Sequence, residues 1–195
     1  LSIINGRIER DSTTESSFRL IEVAAGANLT LFNVTLENGY LFLVGNEAAN
    51  ALPKDFPGIL ANSDNGGAIF NAGALVLQNS TLYNNVAFDL GGAIYNAPGA
   101  VLDIQSSDII NNTALNILAG IGGGGGIFNA DGAVIDSIDN SNISNNNTPG
   151  FGAGLNNQGQ ARNIYSSTIA NNYCCTSVDG GACPDGEPTA SGGGI

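Results

Sequence analysis

Gly66-Gly67-Ala68-Ile69-Phe70-Asn71 is the stretch that decides the fold, because the chain repeats it. It returns as Gly91-Gly92-Ala93-Ile94-Tyr95-Asn96 and as Gly124-Gly125-Gly126-Ile127-Phe128-Asn129. A looser copy is Gly152-Ala153-Gly154-Leu155-Asn156-Asn157, and Gly192-Gly193-Gly194-Ile195 opens another. A second signature follows each of the first four copies: Ser80-Thr81-Leu82-Tyr83-Asn84-Asn85, Ser107-Asp108-Ile109-Ile110-Asn111-Asn112, Ser141-Asn142-Ile143-Ser144-Asn145-Asn146 and Ser167-Thr168-Ile169-Ala170-Asn171-Asn172. Val34-Thr35-Leu36-Glu37-Asn38-Gly39 and Ser2-Ile3-Ile4-Asn5-Gly6 read as degenerate copies of it. A repeat of this length belongs to a stacked solenoid, in which each unit contacts only its neighbours.

The aliphatic markers at 3, 36, 82, 109, 143 and 169 are separated by 33, 46, 27, 34 and 26 residues. The short gaps are bare coils. The long ones carry excursions, placed at 48–65, 113–123 and 174–191, since insertions in repeat proteins map to loops. Between signatures the apolar period is two. Leu75 and Leu77 share a face, as do Leu102 and Ile104, and Leu29 and Leu31 oppose Thr30. This is strand patterning bounded by Gly and Asn turns, and no stretch carries a helical stripe.

Several short strands per repeat predict an all-β fold, a right-handed parallel β-helix of about six coils over residues 1–195 as one domain. Ile69, Ile94, Ile127 and Leu155, with Leu82, Ile109, Ile143 and Ile169, are expected to form inward aliphatic stacks. Asn71, Asn96, Asn129 and Asn157 are expected to stack as an amide-bonded ladder. Asn also tolerates the left-handed backbone that a coil corner needs. Phe70, Tyr95 and Phe128 occupy one position of successive coils. They form either an interior or corner stack or an exposed aromatic strip for ligand contact.

Composition narrows the function classes. Seventeen Asp and Glu stand against five Lys and Arg, for a net charge of −12. That balance argues against nucleic acid and anionic lipid as partners. It is compatible with Ca²⁺, but acidic surfaces more commonly keep extracellular proteins soluble; no cofactor is otherwise indicated. No run of about 20 apolar residues crosses a membrane. The chain has no Met, so Leu1 reads as the start of a processed protein or of a segment of a longer one. Cys174, Cys175 and Cys183 sit together in a Gly/Pro-rich stretch. A loop disulfide from Cys174 or Cys175 to Cys183, in an oxidising compartment, is the expected use. A zinc site is disfavoured, since the chain has no His and a thiolate site takes four ligands.

The paired signatures resemble the repeats of polymorphic outer-membrane proteins, in which Gly-Gly-Ala followed by Ile, Leu or Val alternates with Phe-x-x-Asn. Gly66–Ile69 and Gly91–Ile94 match the first motif, and Gly124–Ile127 matches with Gly for Ala. The second motif here carries Leu82, Ile109 or Ile143 where Phe belongs, as in many large bacterial surface proteins with right-handed β-helix repeats. The resemblance implies a secreted or surface-displayed bacterial passenger, often adhesive, with host or cell-surface glycans or proteins as partners.

An enzyme of the β-helix type would need two carboxylates across the scissile bond. Asp103, Asp108, Asp131, Asp136 and Asp139 are the candidates, read here as solvated outer positions. Arg162 reads as an exposed strand residue. With no His, no Ser-His-Asp or Cys-His system can be built. The expected role is therefore structural or adhesive, without catalysis. Head-to-tail stacking of identical chains into a filament is the sharper version, because neither end shows a polar cap. A carbohydrate-active enzyme and a passive passenger segment of a large adhesin are the alternatives.

Overall fold

The computed structural model describes residues 1–13, 17–41, 64–115 and 123–174. Every described regular element is a strand, and the strands pair in parallel. The chain begins with β1 (Ser2–Glu9), β2 (Ile21–Val23) and the long β3 (Asn28–Glu37). Each later turn of the stack repeats four short strands. The first turn has β4 (Ile69–Asn71), β5 (Ala74–Gln78), β6 (Thr81–Tyr83) and β7 (Val86–Ala87). The second has β8 (Ile94–Asn96), β9 (Val101–Gln105), β10 (Asp108–Ile110) and β11 (Thr113–Ala114). The third has β12 (Ile127–Asn129), β13 (Val134–Asp139), β14 (Asn142–Ser144) and β15 (Asn147–Thr148). The fourth has β16 (Leu155–Asn157), β17 (Gln160–Tyr165), β18 (Thr168–Ala170) and β19 (Tyr173–Cys174).

Like pairs with like. One sheet runs β2-β4-β8-β12-β16, a second runs β7-β11-β15-β19, and a third runs through β3. The two halves of β3 start two rows, β5-β9-β13-β17 and β6-β10-β14-β18. The result is an all-β stack of parallel sheets of solenoid type. Thr113–Ala114 and Cys174 belong to paired strands. They therefore lie inside the stack and not in the loop excursions that spacing alone predicts for them.

Register turns the period-two pattern into columns. Ile21, Ile69, Ile94, Ile127 and Leu155 are stacked partners. So are Ile8, Leu36, Leu82, Ile109, Ile143 and Ile169. A third column runs Ile3, Leu31, Leu77, Ile104, Ile138 and Ile164. Most members are fully buried and meet in one core. Each buried Leu or Ile contributes about 1.5–3 kcal/mol by leaving water. Ile169, in the last described turn, is only partly buried.

The columns correct one alignment. Ile3 pairs with Leu31, and the partner of Leu36 is Ile8. The Asn5-Gly6 pair imitates Asn38-Gly39, but packing both Ile3 and Ile8, partly buried on either side of the Asn5 corner, against one core fixes the register.

Two more columns carry the corners. Asn5, Asn33, Asn79, Ser106, Asn140 and Ser166 have positive φ, and so do Asn38, Asn84, Asn111, Asn145 and Asn171. Asn takes this conformation at little cost, and Ser takes it less readily. Ser106→Gly should therefore stabilise the chain by about 0.5–1 kcal/mol in urea titrations. Loss of stability there would mean that the Asn140 Nδ2 bond to Ser106 Oγ, 3.1 Å, outweighs the backbone strain.

Candidate functional site

The interior of the stack is partly polar. Asn71 shares the inward side of β4 with Ile69, and its Nδ2 donates to Asn96 Oδ1 at 2.8 Å. Asn96 donates to Asn129 at 2.7 Å, and Asn129 to Asn157 at 2.7 Å. The same amides donate to Val101 O, Val134 O and Gln160 O in the adjoining row. Asn71, Asn96 and Asn129 are fully buried. None of the four ladder residues has positive φ, so ladder and corner are separate duties of different Asn residues.

The chain carries a second Asn ladder, hidden in the sequence among the turn residues. Of each Asn-Asn pair, the first takes the left-handed corner and the second turns inward. Asn85 Nδ2 donates to Asn112 Oδ1 at 2.9 Å, Asn112 to Asn146 at 3.0 Å, and Asn146 to Asn172 at 3.0 Å. A serine ladder runs beside it, with the Ser80, Ser107 and Ser141 N–H groups donating to the next Ser Oγ at 3.0–3.1 Å. The signal that betrays this ladder is the doubling itself: a turn needs one Asn, and Asn-Asn recurs.

Phe70, Tyr95 and Phe128 do stack, with centroids 5.3 and 5.5 Å apart and near-parallel rings. They are buried, 4–9 % exposed, in a second apolar cluster with Ala97 and Ala130. They are thus a structural stack and not a surface strip. Partners on either side end it: Glu22 pairs with Phe70 and Asn156 with Phe128. The Arg19 guanidinium lies 4.9 Å over the Phe70 ring and pairs with Glu22 at 3.4 Å.

The five candidate carboxylates do not converge. Asp103 accepts the Ser137 hydroxyl and Gln105 Nε2. Asp136 is the bulged residue of β13 and forms an exposed ion pair with Arg162 at 2.9 Å. Asp139 is in the column of Gln105 and Tyr165, Asp108 is in another row, and Asp131 is in an exposed turn. Among the described residues no three His, Cys, Asp or Glu are placed to hold a metal ion. Cys174 is a buried thiol at the end of β19, where Ala153 N–H donates to its Sγ at 3.2 Å. Burial pushes that thiol up from its ordinary range, against the N–H groups of Ala153 and Gly152. Cys175 and Cys183 lie outside the described residues, as does most of each predicted excursion.

One acidic pair has no counterpart among the sequence candidates. Asp64 and Asp89 stand two residues before Gly66 and Gly91, at the same place in adjacent turns, and Asp89 N–H donates to Asp64 O at 3.1 Å. Asp64 is buried, and Asp89 Oδ1 is buried with no hydrogen-bond donor. Burial first, and the neighbouring Asp64 second, raise the Asp89 carboxyl to about 6. Tyr95 is raised too, by burial and then by Asp89.

A folded-state carboxyl raised above its unfolded value near 3.8 favours folding while protonated. Its contribution is lost as pH rises from about 4 through about 6. Asp89→Asn should abolish that loss and leave the variant more stable above pH 6, by about 1–2 kcal/mol after allowance for partial solvent access. Thermal midpoints from pH 4 to 8 check this. Parallel curves for both proteins would show that Asp89 is not the titrating group.

Comparison with protein-family models, with curated proteins and with solved structures gives no match for this chain. The class is therefore defined by the fold alone: an all-β, parallel, solenoid-type stack with buried Asn ladders.

Proposed function

We propose that this chain is a right-handed parallel β-helix of about six coils, a structural or adhesive part of an extracellular or cell-surface protein. It is similar in kind to the bacterial surface repeat proteins whose signatures it resembles. The observation that carries the reading is the interior itself. Two Asn ladders and a Ser ladder run beside apolar columns through the stack. The described acidic candidates are meanwhile absorbed by local bonds or stand apart. Such an interior makes a stiff rod, with loops carried outside it. Partners would be cell-surface glycans or proteins, or further copies of the chain.

Protease shaving and surface labelling of intact producing cells tests the location. Protection of the protein until the cells are lysed would defeat the reading. Binding to arrayed glycans and matrix proteins tests the adhesive part; no binding leaves the structural or passive-passenger role. The carbohydrate-active alternative rests on Asp64 and Asp89 beside the aromatic stack. It requires that Asp89→Asn abolish cleavage of a polysaccharide by the native protein. The burial of Asp64 and of Asp89 Oδ1 argues against contact of both carboxylates with a substrate.

A further inference from the structure

The left-handed corners carry a chemical hazard. A corner takes Asn for its positive φ, yet Asn is a labile residue. The backbone nitrogen of the residue after it can attack the side-chain amide carbon. A bond forms from that nitrogen to Cγ, Nδ2 leaves as ammonia, and solvent base takes the N–H proton. Water then opens the cyclic imide to aspartate or to isoaspartate, and isoaspartate adds an atom to the backbone and breaks the register. The attack is easiest where the next residue is Gly, which has no side chain in the way.

From Asn33 to Asn145 the attacking nitrogen is held at every described corner Asn, and the holder is a ladder side chain of the next turn. Val34, Ser80 and Ser141 follow the corners at Asn33, Asn79 and Asn140. Their N–H groups donate to Oγ of Ser80, Ser107 and Ser167 at 3.0–3.1 Å. Gly39, Asn85, Asn112 and Asn146 follow the corners at Asn38, Asn84, Asn111 and Asn145. Their N–H groups donate to Oδ1 of Asn85, Asn112, Asn146 and Asn172 at 2.9–3.0 Å. All of these bonds except that of Ser141 are buried. Each aims its N–H into the stack, away from the solvent base that would remove the proton.

We propose that the Asn and Ser ladders have a second function, which is to keep the corner asparagines from deamidating. Asn38-Gly39 is the corner where this matters most, because Gly follows the Asn. The Gly39 N–H donates to Asn85 Oδ1 at 2.9 Å. The Asn38 amide is tied as well: its Nδ2 donates to Glu9 Oε1 at 2.9 Å, and its Oδ1 receives Asn84 Nδ2 at 2.7 Å. Asn65-Gly66 is the same dipeptide away from the ladders. There the Gly66 N–H donates to Leu90 O at 2.9 Å, and the buried Asn65 receives the Leu90 N–H at 3.0 Å. Asn65 therefore reports unfolding without depending on Asn85. This protection is separate from the location and partners proposed above.

Peptide mapping that separates Asn, Asp and isoaspartate tests it, on the 195-residue protein held at neutral pH and body temperature. Native Asn38 should react ~10-fold or more slowly than Asn38 of the same protein held unfolded in urea. Asn85→Ala frees the Gly39 N–H and should raise the Asn38 rate ~10-fold or more, with Asn65 unchanged. Ser107→Ala is milder. It frees the Ser80 N–H and should raise the rate at Asn79, again without Asn65. Native Asn38 reacting as fast as in urea overturns the proposal, and so does Asn38 staying slow in a folded Asn85→Ala protein. Should Asn85→Ala speed Asn38 and Asn65 together, the variant has unfolded and Ser107→Ala decides: a rise at Asn79 alone upholds the protection, and no selective rise overturns it.

Discussion

Asn112→Ala should unfold at a much lower urea concentration than the native chain, with a loss of about 3–5 kcal/mol. Asn112 is fully buried and saturated. Its Oδ1 receives both the N–H and the Nδ2 of Asn85, each at 2.9 Å. Its Nδ2 donates to Leu82 O at 3.1 Å and to Asn146 Oδ1 at 3.0 Å. Alanine leaves the Asn85 N–H and the Leu82 carbonyl buried without these partners, and each orphaned group costs about 1–3 kcal/mol. Asn112→Asp keeps the shape and fails differently. Its second oxygen would face Leu82 O and Asn146 Oδ1, acceptor against acceptor, with a buried charge added. That variant should therefore be worse at neutral pH and recover in part as the carboxyl is protonated. Asn111→Ala, one residue away at the exposed corner, loses only the left-handed preference, about 1–2 kcal/mol. Equal losses at 111 and 112 would refute the division of the Asn-Asn pair into corner and ladder.

Gly92→Ala carries the second large effect, about 3–5 kcal/mol by the same urea titration. Its φ is ordinary, so conformational strain is not the reason. A Cβ there would collide with Gly125 O in the next turn and stand 2.5 Å from Thr113 C in β11, both of them backbone atoms. Backbone in a paired sheet cannot yield as a side chain can. Gly99→Ala is the control. Gly99 has φ 83 but nothing within 4 Å of the added carbon, so only the backbone preference is lost, about 1–2 kcal/mol. A Gly92→Ala protein as stable as Gly99→Ala would mean that the turns are not packed at the distance the register requires.

The pairing of Gly91 with Gly92 shows how one motif serves two physical needs. Gly91 has φ 67, where an L side chain is strained, and a Cβ there would also meet the Ile94 carbonyl, while Gly92, without positive φ, sits only where backbone approaches backbone. The sequence supports the general statement that small residues are required, and the tertiary structure assigns each its reason.

Much of the fold is legible in the sequence by itself, for a physical reason. A solenoid is built from local repeats, so its hydrophobic period and turn residues recur at short separation and declare themselves. Strand type, the inward aliphatic columns of Ile69, Leu82 and their counterparts, and the Asn71 to Asn157 ladder can all be read from spacing. Register at the degenerate first turn cannot. Asn5-Gly6 and Asn38-Gly39 look alike, and only the packing of both Ile3 and Ile8 against the core chooses between alignments five residues apart. The sequence also leaves open which side of a three-residue strand meets solvent. Phe70, Tyr95 and Phe128 alternate outward, yet a second cluster buries them.

What tertiary structure alone decided is what depends on neighbours distant in sequence. It brings Asp64, buried, and Asp89, partly buried, from adjacent turns into one neighbourhood, and raises Asp89 by desolvation and then by Asp64. It sets Asp103 and Asp108, which are close in sequence, on different strand rows of the stack. It also places Ile4 and Tyr165 at opposite ends of one column, because register along the stack, unlike period along the chain, exists only once the strands have paired.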